Sequence, residues 1–286
     1  RFVIKERTDV NGNILEPINT ETFSNLVQKI KEEGFKSVGI GFLHSYANTE
    51  NENILRNHLL ENLPGVEVSI SSDVCPEIRE YERFTTTVVN AYIKPLMASY
   101  LKKLDNELKI KGFDCPLLLM TSGGTLTNIE SACNNPVRLV ESGPAGGAIL
   151  ATSIADDLNL NKVISFDMGG TTAKITIIEN KKAIKAREFE VDRKARFKKG
   201  SGLPLRIPVI EMVEIGAGGG SIARVNKLEQ IITGPDSAGS FPGPACYNNG
   251  GERPTITDAD LVIGKINPDN FAGGKISLSK DLANKA

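Results

Sequence analysis

Hydrophobic and polar positions in the first part of the chain follow two alternating periods. Phe23, Leu26, Val27 and Ile30 recur at helical spacing and predict an amphipathic helix. Thr20 can cap its start and Gly34 can end it. Residues 37–43 read as a strand, and Glu50–Asn62 reads as a second helix that turns Ile54, Leu55, Leu59 and Leu60 inward. Residues 66–70 read as another strand. A long helical pattern over Glu80–Ile110 offers Val88, Val89, Tyr92, Leu96, Tyr100, Leu104 and Leu108 as its core face, with Pro95 expected to kink or split it. Alternation continues through a strand at 116–120, a short helix at 128–134, a strand at 137–141 and a helix at 147–158. The texture then changes. Residues 162–167, 173–179 and 182–191 read as three successive strands with tight turns, a meander that suggests a second domain from Asn161 onward. The expected division is therefore 1–160 and 161–286, in an α/β fold whose sheet faces are covered by helices.

Composition removes several function classes. The 286 residues hold 34 Lys and Arg against 35 Asp and Glu, a formal net charge of −1, which excludes a strongly basic nucleic-acid binder. No apolar run approaches the length of a membrane span. The chain opens on Arg1 inside a strand-like segment and reads as a piece of a longer protein. Cys75, Cys115, Cys133 and Cys246 are far apart and form no Cys-x-x-Cys pair, so a zinc knuckle is poorly supplied. Scattered thiols fit packing residues in a reducing compartment and hence a cytoplasmic protein. Only His44 and His58 are present, too few for a His-rich metal site. The basic stretch 181–199 reads as a solvated face.

Glycine is concentrated after residue 112, where backbone can approach a ligand closely. The strongest signal is Asp167-Met168-Gly169-Gly170-Thr171-Thr172 between two apolar strands. Adjacent glycines let backbone N–H groups converge on an anion, and the two threonine hydroxyls add donors. Asp167 at the strand end would repel a phosphate unless it holds Mg²⁺, directly or through water, so a phosphate site here implies that ion. The alternative is an ordinary hairpin turn. Glu141-Ser142-Gly143-Pro144-Ala145-Gly146-Gly147-Ala148 opens the helix before this turn, and Glu141 can hold a metal-bound water or be a plain exposed acid. A third cluster, Gly216-Ala217-Gly218-Gly219-Gly220-Ser221, matches part of a dinucleotide fingerprint, but strands at 222–225 and 228–232 follow where a helix is needed. A phosphate-facing or adenosine-facing loop fits better. Thr121-Ser122-Gly123-Gly124-Thr125 is a fourth loop of the same kind, and no Walker P-loop is present.

Together these segments resemble the A subunit of the hydantoinase/oxoprolinase family, within the actin, sugar-kinase and heat-shock chaperone ATPase superfamily. The resemblance rests on Glu80-Tyr81-Glu82-Arg83, Thr121–Thr125, Glu141–Gly147, Asp167–Thr172, Gly216–Ser221, Gly234-Pro235-Asp236-Ser237, Pro242-Gly243-Pro244-Ala245-Cys246 and Pro254-Thr255-Ile256-Thr257-Asp258-Ala259-Asp260. It implies ribonuclease-H-like (actin-like ATPase) domains with mixed sheets, the first half truncated. Members carry a further Asp-x-Gly-Gly-Thr loop near their N-terminus, absent before Arg1, so this piece is expected to bind ATP weakly and to turn over little alone. The resemblance implies ATP-dependent hydrolysis of cyclic amides, or ketone carboxylation in one branch, with ATP and Mg²⁺ as cofactors and a hydantoinase B-type subunit as partner. In that reading Gly169, Gly170, Thr171 and Thr172 cradle phosphates and Asp167 organises Mg²⁺. Glu141 positions a metal-bound water, and Gly218, Gly219, Gly220 and Ser221 line the nucleotide side. Asp258 and Asp260 serve a second metal or form a turn with two solvated acids, and Arg83 pairs with Glu80 or Glu82. A sugar or acid kinase of the same superfamily, or a non-catalytic nucleotide-sensing module, are the alternatives.

Overall fold

The computed structural model describes residues 1–194 and 200–286. Two compact units share the chain: Arg1–Ile149 with Lys185–Ile210, and Leu150–Ile184 with Glu211–Ala286. They are not consecutive halves, so a single cut near Asn161 does not describe them. Residues after Ile184 leave the second unit and return to the first before the second resumes.

The first unit opens with a short antiparallel pair, Arg7–Thr8 with Ile14–Glu16, followed by a 3₁₀ turn at Thr20–Thr22 and helix α1 (Phe23–Glu32). Asn19 caps that turn by accepting from the Glu21 N–H, a role the sequence offered to Thr20. Phe23, Val27 and Ile30 are buried as the spacing predicts. Gly34 takes a left-handed φ of 69° just past the helix, and its N–H donates to the Lys31 carbonyl. Strand β1 (Ser37–Ile40), helix α2 (Glu50–Asn62) and strand β2 (Glu67–Ile70) form a parallel βαβ unit in register from Ser37↔Glu67 to Ile40↔Ile70. Leu55 and Leu59 enter the core with Phe23, Ile30, Ile40 and Ile70. Ile54 and Leu60, expected inward, are exposed, and Asn51 and Glu52 are buried instead.

That rotation of α2 serves a buried polar network. Glu52 is fully buried and accepts four hydrogen bonds. Its Oε1 accepts from the Phe42 N–H at 3.0 Å and from Ser71 Oγ at 2.6 Å, and its Oε2 from the Ser72 N–H at 2.9 Å and Ser72 Oγ at 2.7 Å. Helix α3 (Glu80–Ile110) contributes Arg83, also fully buried. Arg83 donates through Nε to Ser71 Oγ at 3.1 Å, through Nη1 to the Glu77 carbonyl at 2.9 Å and through Nη2 to the Phe42 carbonyl at 2.7 Å. It also lies 3.6 Å from Glu80 and over the rings of Tyr46 and Phe84. One hydroxyl, Ser71 Oγ, thus bridges a buried carboxylate and a buried guanidinium at the C-terminal ends of both parallel strands.

Helix α3 is therefore inverted relative to its hydrophobic pattern. Pro95 is accommodated within one continuous helix. Its buried face is Arg83, Thr86, Thr87, Asn90, Ala91, Lys94, Ala98 and Leu101, whereas Val88, Tyr92, Leu96 and Tyr100 are exposed, Tyr92 to 82%. The buried face must be small because it lies on β1: a Cβ at Gly39 would sit 3.7 Å from Ala91 Cβ and from Thr87 Cγ2. It must also be polar, since it ties down strand and loop backbone. Asn90 donates to Ser69 Oγ and to the Asn134 carbonyl, both at 3.0 Å, and Lys94 Nζ donates to the Val68 carbonyl at 3.0 Å.

Next come the hairpin β3 (Leu118–Met120) and β4 (Leu126–Asn128), helix α4 (Ile129–Asn134) and helix α5 (Ser142–Asp157). The strand expected at 137–141 is absent. Pro136–Leu139 forms a 3₁₀ turn, because Asn90 Oδ1 takes the Val137 N–H and the Ser122 hydroxyl takes the carbonyls of Arg138 and Val140. The returning segment adds two antiparallel pairs, Lys185–Ala186 with Val209–Ile210 and Phe189–Val191 with Leu203–Leu205. Leu205, Ile207 and Val209 pack with Val74, Cys75 and Val137 in a second core. The single strand expected over 182–191 is thus divided. Within the basic stretch Lys181 pairs with Asp156 and Arg193 with Glu190, while 195–199 lie outside the described residues.

The second unit is built on an antiparallel hairpin, β5 (Lys162–Met168) with β6 (Ala173–Glu179), in unbroken register from Lys162↔Glu179 to Met168↔Ala173. Strand β7 (Val213–Ile215) extends it on the β6 side, and β8 (Ser221–Val225) pairs with β9 (Ile231–Ser237). Helices α6 (Ile256–Val262) and α7 (Lys280–Lys285) close around Cys246, Leu261, Leu278 and Ala283. Among the described residues no helix is long and apolar enough to cross a membrane.

Replacing Arg83 with Ala removes the guanidinium donors to Ser71 Oγ and to the Phe42 and Glu77 carbonyls while the Glu52 carboxylate stays buried. Urea unfolding of this chain is expected to show a loss of about 3 kcal/mol or more. Tyr92→Ala on the opposite face is expected to stay within about 0.5 kcal/mol. Equal losses would reverse the assignment of the two faces.

Candidate functional site

The second unit brings the strongest sequence signal against the third glycine cluster. Strand β5 ends at Asp167 and Met168, and the Gly169 N–H donates to the Thr172 carbonyl at 2.9 Å to close the turn. Residues 218–220 then dock on that turn. The Gly219 N–H donates to the Gly169 carbonyl at 2.9 Å and the Gly220 N–H to the Gly170 carbonyl at 2.7 Å. Helix α6 holds the second loop from behind: the Thr257 N–H and Oγ1 both donate to the Gly219 carbonyl, at 2.8 and 2.9 Å.

This arrangement gives the turn a polarity. Its carbonyls at 169, 170 and 172 are occupied by protein donors. The N–H groups of Gly170, Thr171 and Thr172 have no partner among the described residues, and neither do the two threonine hydroxyls. Gly170 and Thr171 are exposed. A turn with satisfied carbonyls and open amides attracts anions. A Cβ built on Gly170 meets nothing within 4 Å, so its missing side chain leaves the approach to those amides clear.

The docked glycines have a different reason to be glycine. A Cβ at Gly218 would lie 2.6 Å from the Thr171 nitrogen and 2.7 Å from the Gly169 oxygen. One at Gly219 would lie 2.8 Å from Thr257 Oγ1, and one at Gly220 2.9 Å from Ser237 Oγ and 3.0 Å from the Gly170 oxygen. Gly218, Gly220 and Ser221 are buried, and Ser221 Oγ accepts the Gly218 N–H at 2.9 Å. The sequence suggests that these residues line an open nucleotide surface. The structure places Gly218, Gly220 and Ser221 behind the turn, as its buttress.

Asp167 is exposed at the strand end. Its register partner is Lys174, which is itself opposite Glu214, so an acid, a base and an acid cross three strands on one face. Sequence reasoning missed Lys174 and Glu214, because a cross-strand row appears only once the register is known. Thr257 was missed for a similar reason: nothing local marks it as a latch on a loop far back in the chain. Glu141 belongs to the first unit and precedes α5 with a left-handed φ of 61°.

The second-metal reading of Asp258 and Asp260 does not hold. Asp258 is buried and is the third residue of a capping box at the start of α6. Its Oδ2 accepts from the Thr255 N–H at 2.9 Å and Thr255 Oγ1 at 2.8 Å, and its Oδ1 from the Cys246 N–H at 2.8 Å. A carboxylate so occupied is a structural cap, not a solvated acid, and the pattern Thr255-x-x-Asp258 could have revealed it. Asp260 pairs with Lys265 at 3.7 Å. Burial, together with the hydrogen bond and charge of Asp258, pushes the Cys246 thiol up to about 12. Among the described residues no group of three or more His, Cys, Asp or Glu side chains could hold a metal by itself.

Comparison with known proteins gives this geometry a context. The hydantoinase/oxoprolinase family model matches residues 83–286, and the model of the same family's N-terminal region matches residues 1–63. An uncharacterized protein of Methanocaldococcus jannaschii, MJ0964, is 45% identical over 100% of this chain and 42% of its own length. The caprolactamase α subunit of Pseudomonas jessenii is 32% identical over 96% of this chain and 38% of its own. The crystal structure of ATP-dependent caprolactamase from that organism superposes with a TM-score of 0.74 at 32% identity, over 98% of this chain and 39% of that one. A nucleotide-free acetone carboxylase structure, from work on ATP-dependent acetone carboxylation, also gives 0.74, at 28% identity over 98% of this chain and 39% of that one. The expected α/β fold of the actin-like ATPase class is the fold found. The chain spans about two fifths of the length of these relatives.

Gly218→Ala is expected to cost about 1–3 kcal/mol in urea unfolding, because the new methyl meets backbone. Gly170→Ala, which meets nothing, is expected to change stability by no more than about 0.5 kcal/mol. The thiols offer a second check. Cys115 is exposed, whereas burial raises Cys75, Cys133 and Cys246. Iodoacetamide at pH 8, followed by mass spectrometry, is expected to label Cys115 in the native protein and the other three only after unfolding.

Proposed function

Since the chain belongs to the hydantoinase/oxoprolinase family, we propose that it supplies the ATP-handling part of an enzyme that opens cyclic amides by phosphorylating the substrate carbonyl oxygen. The observation that carries this reading is the turn at 169–172, with its carbonyls satisfied by 219 and 220 and its amides open. The N–H groups of Gly170, Thr171 and Thr172 bind phosphoryl oxygens, and the hydroxyls of Thr171 and Thr172 add donors. Gly218, Gly219, Gly220 and Ser221 keep the turn in that shape. The donor set fits a magnesium-bound nucleotide: Asp167, the carboxylate at the strand end, would hold the ion, and the ion would supply charge neutralisation for phosphoryl transfer. Lys174, the register partner of Asp167, sets a positive charge beside that carboxylate.

An amide carbonyl is a poor electrophile. Phosphorylation of its oxygen creates a leaving group, and attack by water then opens the ring. Positioning and charge stabilisation are what a protein contributes to such a transfer. The relatives named as caprolactamase α and acetone carboxylase β are subunits, which supports a second, hydantoinase B-type subunit that completes the substrate site. The four free thiols support a reducing, cytoplasmic setting. A second reading, ATP-dependent ketone carboxylation, is supported by the likeness to acetone carboxylase; it uses the same turn and differs in the acceptor. The kinase alternative differs in leaving a stable phosphoester.

The test uses the intact protein with its partner subunit and screens cyclic amides and ketones for coupled ATP consumption. One ring-opened acid per phosphate released supports the amidase reading, a new carboxylate from a ketone the second, and a stable phosphoester the kinase. Asp167→Asn is expected to lower kcat about 100-fold or more with the fold intact. Thr171→Val is expected to raise the KM for ATP about 10-fold. Turnover unaffected by Asp167→Asn would remove the turn from the chemistry.

A further inference from the structure

A cavity of about 370 Å³ lies in the first unit beside the Thr121–Thr125 turn, and the function proposed above makes no use of it. The structure assigns it, we infer, as a binding site for a small organic oxyanion, a carboxylate or a phosphoryl group on a short apolar body. Its volume is within the range of small-ligand pockets. Two cations line it, Arg138 and Lys185, with the hydroxyl-bearing Thr121, Thr125, Thr127 and Ser131, and no lining residue is a carboxylate. Neither Arg138 nor Lys185 makes an ion pair with a carboxylate among the described residues. Both cations are exposed, and together they give the cavity a positive potential that favours an anion. Leu126 and Leu139 on the wall provide the apolar contact that an inorganic ion would not need.

The cavity is built rather than incidental, because one serine fixes both cation-bearing segments. The Ser122 N–H and Oγ donate to the Arg138 carbonyl at 2.8 and 2.7 Å, and Oγ also reaches the Val140 carbonyl. The Ser122 carbonyl accepts the Ile210 N–H at 2.9 Å, and Ile210 is the register partner of Lys185. The turn itself is set by Gly124 at a φ of 73° and by Thr121 and Thr125, whose hydroxyls lie 2.9 Å apart. Thus Ser122 anchors both the Arg138 segment and the strand paired with Lys185, and Thr121 and Thr125 add hydroxyls to the same lining. Every lining residue belongs to the first unit, and none is part of the turn at 169–172.

Calorimetric titration of the intact protein with glutarate and with inorganic phosphate, in parallel, tests the assignment. At least one probe is expected to bind. Arg138→Gln and Lys185→Gln are each expected to weaken that binding about 10-fold or more with the thermal melt unchanged, while Thr171→Val leaves it as in the parent. Glutarate alone would identify a carboxylate ligand, and phosphate at these same residues a phosphoryl group. Glutarate binding that survives both charge variants or is abolished by Thr171→Val, phosphate binding untouched by both charge variants in the absence of glutarate binding, or no binding of either probe overturns the proposal.

Discussion

Two backbone hydrogen bonds, Gly219 N–H to the Gly169 carbonyl and Gly220 N–H to the Gly170 carbonyl, hold the second unit's site together. They join two loops far apart in sequence at a separation that no side chain permits: a methyl on Gly218 would lie at 2.6 Å from the neighbouring nitrogen. Their direction matters as much as their presence. Because the incoming loop brings donors, it neutralises the carbonyl side of the hairpin turn, and the amides at 170–172 have no protein partner among the described residues. Reversing the donor and acceptor roles would leave carbonyls open and give a turn that repels anions. The polarity of the turn therefore comes from the pairing of two loops and not from either glycine cluster alone.

The first unit shows the complementary principle. Its parallel strands end at a buried carboxylate and a buried guanidinium joined through Ser71. Burying such groups is costly unless each polar atom is matched, and here Glu52 has four donors and Arg83 three acceptors. The requirement to match them rotates α2 and α3, so that Leu60 and Tyr92 face outward. Polar satisfaction outranks the hydrophobic stripe. A comparable economy of means recurs at Ser122, where one residue anchors the Arg138 backbone and the strand paired with Lys185.

Much of the fold was legible before any coordinates. The limits of α2 and α3 fall where the periodicity puts them, and the β5–β6 hairpin lies where the apolar runs and the intervening glycines indicate. Legibility failed wherever a side chain replaced a ladder. Residues 137–141 look like a strand, but Asn90 and Ser122 satisfy their backbone and leave nothing for a sheet. At the site, the Asp167–Thr172 turn was readable because its chemistry is local. The cross-strand row of Lys174 and Glu214, the latch at Thr257 and the buttressing place of Ser221 were not, since each depends on register or on a distant loop.

By itself, then, the sequence carried the family resemblance in its motifs and determined most of the elements and the glycine turn between two strands, because periodicity, caps and adjacent glycines act over a few residues. Tertiary structure decided which helix faces are buried, that Asp258 is a cap and not a metal ligand, and which way the glycine turn presents its donors. Those outcomes rest on hydrogen bonds between segments remote in sequence, whose geometry exists only after the chain has folded.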